Sequence, residues 1–120
     1  MKDIRVKRAY EPAAPSDGAR ILVDRLWPRG LLREEAHVDA WLKDIAPSTA
    51  LRKWYGHDPE KWPEFRSRYL AELKHNSAVA ELRERLAKAK KVTLLFAAKD
   101  SQHNNATVLR DFLLGSAGGQ

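Results

Sequence analysis

A chain of 120 residues with 43% hydrophobic and 32% charged side chains has the size and balance of one folded domain with a modest core, which excludes a disordered protein. Cysteine is absent, so disulfides, thiol nucleophiles and cysteine-held metals are excluded, and no apolar run nears the ~20 residues that span a bilayer. The net charge of +6 favours anions, but acids are interspersed, as in Arg83-Glu84-Arg85 and Arg33-Glu34-Glu35, so a solvated mixed surface fits better than a nucleic-acid face.

The N-terminus, MKDIRVKRAY, sets Ile4 and Val6 among charges. It lacks the apolar stretch of a signal peptide, which with the missing cysteines points to the cytoplasm. The same alternation predicts a first strand at a sheet edge or half exposed. Glu11 to Gly18 reads as a loop, fixed by two prolines and an Asp17-Gly18 turn. Arg20 to Trp27 predicts a second strand, apolar at its start, interrupted by Asp24 and Arg25 and ended by Pro28-Arg29-Gly30. Leu31 to Ala46 is ambiguous. Val38, Trp41, Leu42 and Ile45 have helical spacing and favour a helix, while Val38 to Leu42 also alternates as a short strand would.

Ser48 is placed to cap a short helix through Leu51 and Trp54 that stops at Gly56. Asp58 and Pro59 open another, with Trp62, Phe65, Tyr69 and Leu70 or Leu73 on one face, ending near Asn76. Ser77 then caps a helix that turns Val79, Leu82 and Leu86 inward. Val92 to Ala97 is an unbroken apolar run, the pattern of a strand buried on both faces in a parallel sheet. Lys99 to Gln102 break it, and His103-Asn104-Asn105 start a helix with Ala106, Leu109, Phe112 and Leu113 apolar. The long helical crossover between the strands near residues 22 and 94 is what parallel neighbours require. The expectation is one small layered α/β domain over 1–114, with a short, mainly parallel sheet flanked by helices, and a disordered tail over 115–120.

Four segments carry a family likeness: RILVDRLWPRG (20–30), WLKDIAPS (41–48), LRKWYGHDPEKW (51–62) and VTLLFAAKDSQHNNATVL (92–109). Together they resemble the YeaO-like branch of the bacterial domain-of-unknown-function family 488, over nearly the whole chain. The resemblance implies no reaction, because that branch has no established one. A related branch carries a cysteine near the end of the last strand and a Cys-His-Arg group at the following helix. This chain has Phe96-Ala97 and His103-Asn104-Asn105 there, so thiol chemistry does not carry over.

The site is expected where the strand ends meet a helix start, as in open α/β sheets. Adjacent strands ending at Trp27 and Ala97 would bring Arg25, Arg29 and Lys99 to one rim, where they could hold a phosphate or carboxylate. Against this, Arg25 could simply pair with Asp24, Asp44 or Asp100. Asn104 and Asn105 could grip a base or sugar hydroxyl, and His103 or Asp100 could move a proton. The plainer alternative there is capping by Asp100 or Ser101. His57-Asp58 invites a catalytic pair, but Asp58 is already explained as a helix cap. His37, His57, His75 and His103 have no metal-ligand spacing, and no phosphate loop or nucleophile elbow occurs. The sequence therefore suggests a small-molecule enzyme or binding protein for an anionic, nucleotide-like ligand, with no cofactor, metal or membrane. The alternative is a nucleic-acid- or protein-binding module. Oligomeric state is not set by the sequence.

Overall fold

The structure, a computed structural model, describes residues 3–115. Four strands form one parallel sheet: β1 (Asp3–Arg8), β2 (Ala19–Leu22), β3 (Ala40–Trp41) and β4 (Lys91–Phe96), in the order β1-β4-β2-β3. Ile21 lies opposite Leu94, and Val6 lies opposite the same residue from the other side. The two strands expected to neighbour each other do so in the interior of the sheet. β4 is buried from Val92 to Phe96, whereas β1 is an edge strand, as its alternation implied.

The two faces of the sheet are covered differently. One face, with Ile4, Ile21, Val23, Val92, Leu94 and Phe96, packs against four helices: α2 (Thr49–Tyr55), α3 (Trp62–Lys74), α4 (Ala78–Lys88) and α5 (Asn105–Leu114). Their buried residues Leu51, Phe65, Tyr69, Leu73, Leu82 and Leu109 recur at helical spacing, so each helix contributes one apolar stripe. The other face carries Leu22 and Leu95 under Trp27, Leu31 and Val38, which come from loops on either side of a single helical turn, α1 (Arg33–Ala36), and under Trp41 of β3. A buried ionic cluster completes that face. Asp17 accepts from Arg20 Nη1 at 2.6 Å and from Lys7 Nζ at 3.0 Å, and its carbonyl accepts from Thr93 Oγ1. Gly18 passes the Lys91 carbonyl so closely, at φ +67°, that a Cβ would collide with it.

Local structure departs from expectation in four places. β2 ends at Leu22 rather than Trp27, because from Asp24 onward the chain leaves the sheet. The favoured helix over 31–46 is absent. In its place stand α1, the two-residue β3 and a 3-10 turn, Lys43–Ile45, because Asp39 and Leu42 donate to the Arg20 and Leu22 carbonyls. Asn76, not Ser77, caps α4, accepting from Ala78 N at 2.8 Å. Asn104, not Asp100 or Ser101, caps α5, and Thr107 Oγ1 returns the bond. Ser48 and Asp58 cap as their positions implied, the latter opening a 3-10 turn (Pro59–Lys61) ahead of α3. Gly115 closes α5 in the left-handed conformation, and the expected tail over 116–120 lies outside the described residues.

Candidate functional site

Beyond the carboxyl ends of β2 and β4 lies an open cleft of about 1030 Å³. Its floor is built around Asp24. Oδ2 of Asp24 accepts from Ala97 N at 3.0 Å, and Oδ1 accepts from Asn105 Nδ2 at 3.0 Å. The same Asn105 amide donates to the Val23 carbonyl, and the Trp41 indole donates to the Asp24 carbonyl at 2.7 Å. Asp24 thus ties the end of β2 to the end of β4, to the start of α5 and to β3. Burial pushes its carboxyl above the usual carboxylate range, against the opposing pull of Asn105, the Ala97 amide, Arg52 and His57.

Cations surround this floor. Arg25, Arg29, Arg52, Lys53 and Lys99 all line the cleft. Arg25 is the most committed of them. It donates to the Ala46 and Pro47 carbonyls and lies 3.8 Å from Asp44, so the plainer pairing role holds for it at that end of the cleft. Arg29 reaches the rim because the Tyr10 hydroxyl donates to its carbonyl at 2.8 Å. Arg8 is spent on the Ala97 and Ala98 carbonyls, where it finishes the carboxyl end of β4. Among the described residues Arg29, Lys53 and Lys99 take part in no salt bridge, and all three are exposed.

Tyr55, Phe65 and His103 also line the cleft, with Trp62 in ring contact with all three. Tyr55 stacks on Phe65 at 4.3 Å, and Trp62 lies between Phe65 and the His103 ring, 5.0 Å from the latter. Burial, with the nearby Asp100 and Asp58 charges, raises the Tyr55 phenol above its usual value. Asp100 accepts from the Gln102 and His103 amides and from His103 Nδ1 at 3.1 Å, which holds its carboxyl below the usual range. That carboxylate organises the turn and orients the imidazole. His103 itself is exposed over the cleft. Asn104 is buried and taken up by its cap and by the bond from its Nδ2 to the Asp100 carbonyl.

The residues expected from sequence, Arg25, Arg29, Lys99, Asp100, His103, Asn104 and Asn105, therefore share one cleft. Arg52, Lys53, Tyr55 and His57 join them from α2 and the turn after it. His57 follows Gly56 into a left-handed backbone, φ 59°, which carries the imidazole to the cleft while Asp58 turns away to cap. All four lie in the LRKWYGHD segment, where Arg52, Lys53 and Tyr55 read only as helix residues and His57 as half of a catalytic pair set aside because Asp58 caps a helix. Among the described residues no three His, Cys, Asp or Glu side chains come together in a way that could hold a metal ion. No helix among them is long and apolar enough to cross a membrane.

Comparison with known proteins gives a consistent picture. The family described as the inactive DUF488-N3 subclade matches residues 3–118. The uncharacterized protein Rv3073c of Mycobacterium tuberculosis is 46% identical over 112 residues, which cover 93% of this chain and 94% of that one. The uncharacterized protein YeaO of Escherichia coli is 45% identical over 111 residues, covering 92% and 96% respectively. No solved structure matches the chain.

Proposed function

The chain belongs to the inactive DUF488-N3 subclade, and on that premise we propose that it binds a small anionic ligand, a phosphate or carboxylate of nucleotide-like size, without turning it over. The observation that carries this reading is that Arg29, Lys53 and Lys99, none in a salt bridge among the described residues, line one cleft together with Arg52 and Arg25. Such cations, in a cleft that Tyr55 and Phe65 also line, concentrate anions. The word inactive in the family description supports binding over catalysis, as does the lack of any cysteine in the chain. In this reading His103 contacts the ligand, Asp100 positions that imidazole, and Asn105 holds the floor.

The test is calorimetric titration with pyrophosphate and methyl phosphate in a low-salt buffer free of other oxyanions. Binding that weakens with added salt, and that is lost in Arg29→Ala/Lys53→Ala/Lys99→Ala while the variant keeps its melting temperature, is the expected result. A protein that binds neither probe, or a triple variant that binds them as well as the parent, refutes the reading.

A further inference from the structure

Asp24 is a carboxylate set among the cations of this cleft. Its bracing role uses one bond to each oxygen, from Ala97 N to Oδ2 and from Asn105 Nδ2 to Oδ1, so it needs the two acceptors that a carboxylate supplies and an amide does not. Each oxygen of Asp24 accepts one of these bonds, and a carboxylate oxygen has room for a second. The side chain is only partly buried and lines the cleft, with Arg52 and His57 near enough to stabilise its charge. The backbone on which it rides is fixed by the Trp41 indole and its carboxyl by Asn105, so the acceptor is held at a set place before any ligand arrives. A cleft of about 1030 Å³ has space for far more than a bare oxyanion.

We propose that Asp24 is the specificity-determining residue of this cleft: it accepts a hydrogen bond from a hydroxyl or amino group of the ligand, which is therefore a phosphate ester carrying such a donor, and not a simple anion. This inference rests on the anion-binding reading above and adds the second half of the ligand. The cations hold the phosphoryl group, and the floor reads the donor attached to it. A site built to pair with a donor discriminates strongly against an analogue lacking it, since the acceptor is then left desolvated. A negative floor also repels a bare anion, so selectivity comes from both terms.

The experiment compares methyl phosphate, glycerol 3-phosphate and AMP, each titrated into the full chain and into Asp24→Asn. These probes share the phosphoryl group and differ in the donors attached. The unaltered protein is expected to bind at least one donor-bearing ester about tenfold or more tighter than methyl phosphate, as a hydrogen bond to a charged acceptor allows. In Asp24→Asn, where the amide also turns a donor towards Ala97 N or Asn105 Nδ2, that preference collapses, and methyl phosphate, which reads the state of the floor itself, is weakened less than the donor-bearing esters. Tight glycerol 3-phosphate marks a hydroxyl as the donor, and tight AMP alone marks the nucleoside. Equal affinity for all three probes in the unaltered protein overturns the proposal while leaving the anion site standing, and needs no variant to be folded. A preference that survives Asp24→Asn also overturns it. Failure of every probe to bind removes the anion-binding reading and this one together.

Discussion

The most searching test of the fold is Asp17→Ala, because it empties the acceptor under the loop-covered face of the sheet. Asp17 takes bonds from Arg20, from Lys7 and from the Ala14 amide, and its side chain is only 8% exposed. Arg20 is deeper still, with a 4% exposed side chain, and would keep only the carbonyls of Ala36 and His37. Removing one partner of such a buried pair costs about 3–5 kcal/mol, since a charge is left uncompensated. Lys7, at 19% exposure, can turn to water and retains the Pro12 carbonyl, which places the expectation near the lower figure, about 3 kcal/mol. With a urea slope of roughly 2 kcal/mol/M, the unfolding midpoint should fall by about 1.5 M. The pH dependence has a definite sign. Burial would raise the Asp17 carboxyl, but the Ala14 amide, Lys7 and Arg20 outweigh it and hold the group below its ordinary value. Its stabilisation is therefore complete above the unfolded carboxylate range and is lost as pH falls through the lower native value. Urea titrations of parent and variant at neutral pH and in acid should converge as the medium becomes acidic. A loss under about 1 kcal/mol at neutral pH would show that Arg20 is satisfied without Asp17, and the argument for a buried ionic brace would fail.

Other outcomes follow from the same geometry. Asn104→Ala removes a cap bond and the bond to the Asp100 carbonyl and should cost about 1–2 kcal/mol in chemical denaturation. An unchanged midpoint would deny it the cap. Leu82→Ala, in a fully buried position of α4, should cost about 2–5 kcal/mol, and a value below that range would mean that α4 packs loosely. Gly18→Ala forces a Cβ against the Lys91 carbonyl in a left-handed backbone and should lower the melting temperature clearly; a stabilised variant would refute the close approach. Tyr69→Phe deletes the buried hydroxyl that donates to the Ile45 carbonyl at 2.7 Å, for a loss of about 1–3 kcal/mol by urea titration, and a neutral result would argue against that bond.

Much of this molecule is local in origin and could be read directly from residues. The apolar run at Val92–Phe96 can only be a doubly buried strand, and Ser48, Asp58 and Gly56 announce their helix ends because caps act within three or four residues. Parallel pairing of β2 with β4 followed from the helical crossover between them, and it put Arg25, Arg29, Lys99 and the start of α5 beside one cleft. What the residues could not settle was long-range. The Val38–Ile45 segment satisfies two periodicities, and bonds to Arg20 and Leu22 on β2 decide against the helix. The residues offered Asp100 or Ser101 as the cap of α5, but Asp100 is taken up by the Gln102 and His103 amides, and the turn it holds places Asn104 at the helix start. Arg52 and Lys53 looked like helix surface, and His57 like half of a catalytic pair that the cap at Asp58 argued against. Only the packing of α2 against α3, with Tyr55 stacked on Phe65, brings them over strands that end some thirty residues earlier and forty later. Asp24 gained its place in the same way, since the partners that make it a floor, Ala97, Asn105 and Trp41, are far from it in the chain and meet only when the sheet is assembled.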